Sequence, residues 1–113
     1  MSDKSDLENR AIEAIWNYRE AFAVVGRLER KERSAHRAVT RILPELGRAL
    51  RSQDTRCLKN SIKIGSAAVS RQNEAWANLT EATARLDSAH STLAALERQL
   101  GYLPKVSKPR DSG

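Results

Sequence analysis

One cysteine, Cys57, is all the chain has, and that scarcity excludes both an internal disulfide and a cysteine-built metal cluster within one copy. A lone thiol fits a reducing compartment, so the expected location is cytoplasmic. No stretch of about 18 apolar residues occurs, which argues against a transmembrane helix. The opening Met-Ser-Asp-Lys-Ser-Asp lacks a cationic segment followed by an apolar one, so no cleaved signal is expected. No segment alternates apolar and polar residues between turn signals, which excludes a β architecture. Gly26, Gly47 and Gly65 stand singly inside helical patterns, so no glycine-rich phosphate loop is present. Aromatic residues make up 4% of the chain and do not interleave with the cations, which gives stacking on nucleic-acid bases little support.

Catalytic groupings are missing as well. Cys57 has no histidine near it in the helical reading, and His36 and His90 lie on different helices at different levels. No Glu-x-x-His or His-x-x-x-His spacing exists to build a metal site in a bundle. Asn78-Leu79-Thr80 matches a glycosylation sequon, a chance match in a helical cytosolic chain. The chain is therefore expected to be no enzyme, with no catalytic residue, no cofactor and no metal.

What is present is periodicity. Leu58, Ile62, Gly65, Val69, Gln72, Trp76, Leu79, Thr83, Leu86, His90, Leu93 and Leu100 recur at three- and four-residue steps, with one step skipped. That pattern belongs to a helix burying a narrow seam. Val25, Leu28, Val39, Ile42, Leu46 and Ala49 form a less regular stripe before the polar break Ser52-Gln53-Asp54-Thr55. The fold class is all-α: a long antiparallel, coiled-coil-like helical hairpin, with helices over about 6–51 and 54–100 in a single domain of residues 1–104. Ser5 or Asp6 is expected to cap the first helix, Asp54 or Ser52 the second, and Gly101 with Pro104 to stop it. Pro44 should kink or break helix one. The basic stretch 105–113 holds little to bury and reads as a disordered tail.

A single antiparallel register pairs Leu7 with Leu100, Ile15 with Leu93, Phe22 with Leu86, Leu28 with Leu79, Val39 with Val69 and Leu50 with Leu58. It sets His36 level with Gln72 and His90 level with Tyr18, polar layers that specify register. Ala68, Ala75, Ala82 and Ala89 run beside the seam and would let another helix approach.

Two surfaces stand out. Ile12, Ile15, Trp16, Tyr18, Phe22 and Val25 fall on more than one face, more than a single partner helix can cover, and this open end is expected to form a homodimeric four-helix bundle. Charge supplies the second. Residues 27–64 carry eleven Lys or Arg against four Asp or Glu, a net +7, so the rest of the +6 chain nets −1. Arg27, Arg30, Arg37, Arg41, Arg48 and Arg51 share one side of helix one, and Lys59 and Lys63 widen the field near the turn. Glu29, Glu32 and Glu45 interleave with these cations as on an ordinary solvated face. Such a stripe suits an acidic protein partner. The alternative is salt-sensitive, sequence-independent nucleic-acid binding of a nucleoid-associated or regulatory kind. At the level of fold alone, a long helical hairpin resembles many bacterial and phage adaptors.

Overall fold

The computed structural model describes residues 3–106. Two helices account for most of them: α1, Asp3–Ser52, and α2, Thr55–Leu100. Among the described residues there is no strand, and no helix is long and apolar enough to cross a membrane. The expected tail falls outside the described residues from 107 onward, while Lys105 and Val106 are placed.

α1 begins earlier than the sequence suggested, so Ser5 and Asp6 lie within the helix and do not cap it. It also runs through Pro44 without interruption, so the separate short helix considered from Pro44 does not form. Proline removes the amide that would bond the Thr40 carbonyl, at a cost of roughly 3 kcal/mol. Thr40 and Pro44 are both exposed, so water can take the missing donor's place. The Thr40 hydroxyl donates to the His36 carbonyl at 3.0 Å, which adds a local tie across that turn.

The connection between the helices is short, and Ser52 and Asp54 tie it to both of them. The Ser52 hydroxyl donates to the Ala49 carbonyl at 2.9 Å and accepts from the Asp54 amide at 3.3 Å. Gln53 takes a left-handed φ of 60°. Asp54 is the cap of α2: its Oδ1 accepts from the amides of Arg56 (3.1 Å) and Cys57 (3.2 Å). A cap of this kind contributes about 1 kcal/mol. At the far end, Gly101 with φ 88° donates to the Glu97 carbonyl at 2.7 Å and ends α2, a conformation that glycine adopts without steric cost.

The described residues pack as two compact units, one built from residues 3–26 and 81–106 and the other from 27–80. In the first, Ala11, Ala14 and Leu96 are buried, with Leu7, Leu93 and Leu100 packed on them. The rings of Tyr18 and His90 lie 5.9 Å apart. In the second, Ile42 comes so close to Gly65 that a Cβ there would sit 3.4 Å from the Ile42 Cγ2. Each unit therefore pairs its two helical segments antiparallel, in the register expected.

Which face of α2 turns inward differs from the expectation. In the second unit the shielded positions are Leu58, Ser61, Gly65, Ala68, Gln72, Ala75 and Leu79; in the first they include Ala82, Leu86, Ala89, Leu93 and Leu96. The alanines at 68, 75, 82 and 89, expected beside the seam, are in it. Ile62, Val69, Trp76, Thr83 and His90, expected in the seam, are exposed. Side-chain volume explains the rotation. Val39 and Leu46 of α1 stand level with Ala68 and Ser61, while Leu58 stands level with Ala49. Large residues thus meet small ones in successive layers, which allows close interdigitation. A tryptophan in such a layer would force the backbones apart.

Candidate binding surfaces

In the second unit, each helix has two rows flanking the seam. Grooves lined by Lys31, Ala38, Arg71 and Asn78, and by Glu45, Ser52 and Cys57, mark one side. The other side holds the rows Glu29, His36, Leu43, Leu50 on α1 and Ile62, Val69, Trp76 on α2. His36 Nδ1 on this side lies 2.8 Å from the Gln72 side-chain nitrogen, which ties the row to the seam. The amide donates, so the imidazole accepts at Nδ1.

The expected arginine stripe is intact. Arg27, Arg30, Arg37, Arg41, Arg48 and Arg51 are all exposed, on the outward side of α1. At about 1.5 Å per residue the row is roughly 36 Å long. The lysines do not join it. Lys63 lies on the outward side of α2, turned the opposite way, and Lys59 borders the side with Ile62 and Trp76. One flat partner can meet the arginines but not Lys63 at the same time.

The expected oligomer interface is divided by burial in the first unit. Ile15 is only 8% exposed, Tyr18 and Val25 sit in the seam, and Ile12 and Trp16 are half-buried. Phe22 alone is widely exposed, at 62%, with its ring 6.3 Å from that of Tyr18. Part of the cover comes from the segment after α2, of which Lys105 and Val106 were expected in a disordered tail. Beyond Gly101 the chain folds back, so that Leu103, Pro104, Lys105 and Val106 share a groove with Ile15, Arg19 and Leu93. The Tyr102 hydroxyl donates to the Glu8 carboxylate, and Arg19 donates to the Val106 carbonyl. Lys4 Nζ lies 5.7 Å from the centre of the Tyr102 ring. The hydrogen bond to Glu8 raises the phenol above its ordinary pKa of 10.0, with desolvation and the Glu8 charge acting in the same direction. The apolar Tyr102-Leu103-Pro104 triplet and Val106 were the available signal, outweighed by the polar residues around them.

Among the described residues no group of three or more His, Cys, Asp or Glu is placed to hold a metal ion. Cys57 is exposed in the first turn of α2, where its amide serves the Asp54 cap. Compared with protein-family models, curated proteins and solved structures, the chain matches none of them.

Proposed function

We propose that this protein is a non-enzymatic helical scaffold or adaptor that self-associates and holds an acidic protein partner along the arginine row of α1. The observation that carries this reading is the row itself: six arginines, all exposed, on one side of one helix. Guanidinium groups favour carboxylates and phosphates through paired, planar hydrogen bonds. Arg27, Arg30, Arg37, Arg41, Arg48 and Arg51 follow one another at steps of three, seven, four, seven and three residues, which leaves gaps between the cations, and no aromatic interleaves with them. That pattern suits a partner whose own carboxylates are spaced along a helix better than an evenly charged duplex.

A titration of the full chain against poly-glutamate and against a random DNA duplex, each at low and near-physiological salt, tests the proposal. Saturable binding to the acidic polypeptide, lost when Arg30, Arg37 and Arg41 are changed to Gln with helicity intact, supports it. Duplex binding that is tighter and falls steeply with salt would move the row to a nucleic-acid role instead. If neither ligand binds at low salt, or the triple variant binds as well as the parent, the arginines form an ordinary solvated face.

A further inference from the structure

The arginine row of the second unit carries a pattern as well as a charge. Its six arginines fill six of eight places in an unbroken run of alternating three- and four-residue steps from Arg27 to Arg51, and Ser34 and Pro44 fill the other two. All eight are exposed. This is the heptad repeat of a coiled-coil seam, and it lies on the outward side of α1, turned away from α2. No acidic residue interrupts it. Glu32 is half-buried toward α2, Glu29 lies on the side with Leu43, and Glu45 lies in the groove with Ser52 and Cys57. Among the described residues none of the six arginines makes an ion pair, so an incoming carboxylate displaces none.

We infer that the row receives an acidic α-helix of about seven turns, with carboxylates in the same heptad phase, laid lengthwise along α1. The inference rests on the acidic-partner reading above and specifies that partner's conformation. Spacing selects the helix. Successive arginines are three, four or seven residues apart, which are axial steps of about 4.5, 6 and 10.5 Å. A second helix with Asp or Glu at the matching places repeats every one of these steps, so one register serves the whole row. Carboxylates on one side of an extended chain recur every ~6.7 Å, which fits neither the short step nor the long one. A duplex strand winds about its own axis, so only a short arc of its phosphates faces a straight row. An ideal helix drifts about 20° per heptad against this repeat, and left-handed coiling of the partner round α1 takes up the drift. Each matched place then sets a planar guanidinium opposite a carboxylate, the charge-assisted pairing that arginine makes best.

The test titrates the full chain, at near-physiological salt, into two labelled helical peptides of about 28 residues, followed by fluorescence anisotropy. One carries Glu at the first and fourth place of every heptad, with Ala and Gln elsewhere. The other has the same composition with its glutamates spread round the helix. The phased peptide should bind at least about tenfold more tightly than the spread one. Arg37→Glu should weaken the phased peptide at least about tenfold with helicity unchanged, whereas Lys63→Glu, the same change of net charge on the outward side of α2, leaves it within about twofold. Equal affinity for the two peptides overturns the inference, as does an equal loss in the two charge-reversed variants. The acidic-partner reading survives either result if changing Arg30, Arg37 and Arg41 to Gln still abolishes peptide binding. Failure of both peptides to bind the parent, or a random DNA duplex binding more tightly than the phased peptide, overturns the inference and that reading together.

Discussion

The His36 ring and the Gln72 side chain meet across the second unit, nitrogen to nitrogen at 2.8 Å, one at the edge of the seam and the other half-buried within it. This polar contact interrupts a seam lined mostly by small and aliphatic residues, and it fixes which residues stand level. We expect Gln72→Ala to cost about 1 kcal/mol, the value of one such hydrogen bond with modest loss of packing. Gln72→Leu, facing the small Ala35, should be neutral or stabilising, since an apolar pair replaces the polar contact. Urea denaturation followed by circular dichroism measures both, and a large loss of stability in the leucine variant would contradict this account.

The small-against-large layering makes a sharper prediction. Ala82 is 7% exposed in the seam and its neighbour Thr83 is exposed. Ala82→Leu should destabilise by about 1–3 kcal/mol through overpacking. Thr83→Leu should stay within about 0.5 kcal/mol, as a surface change does. Equal effects at the two positions would mean that α2 presents a different face.

Backbone terms can be tested at two sites. A Cβ on Gly47 would meet only the tip of Arg51, at 3.6 Å, so Gly47→Ala should add about 0.5–1 kcal/mol of stability by restricting the unfolded chain. Asp54→Ala removes the acceptor for two amides of α2 and should cost about 1 kcal/mol. The shift in thermal midpoint reports each.

The fold-back after Gly101 should respond to alkali. Tyr102 holds its proton more tightly in the folded chain than in the unfolded one, because its hydroxyl donates to Glu8. A raised pKa means that the contact contributes below pH 10 and is lost as pH climbs through the raised value. Tyrosinate absorbance should therefore rise later in the parent than in the denatured chain, and Tyr102→Phe should remove the late component. A single titration at the ordinary tyrosine pKa would show that the segment is not held by this bond.

Helix type, antiparallel register and the turn were legible in the sequence because they depend on local chemistry. Three- and four-residue spacing demands a helix, Ser52-Gln53-Asp54 offers a turn and a cap, and one register aligns Leu7 with Leu100 as well as His36 with Gln72. The arginine row was legible for the same reason, since charges on the outward side of a helix need no partner to define them. Sequence did not reveal the rotation of α2 about its own axis, and so mistook Trp76 and Val69 for core and Ala68 and Ala82 for flank. Hydrophobicity ranks tryptophan above alanine; only packing against the facing residues of α1 shows that the layer has room for the smaller side chain. The cover over Ile15 was hidden likewise, because the segment Leu103–Val106 is placed by contacts with residues far away in the chain. Periodicity fixes how a helix forms, whereas the fit of volumes across the seam decides which side it buries and which side it leaves for another molecule.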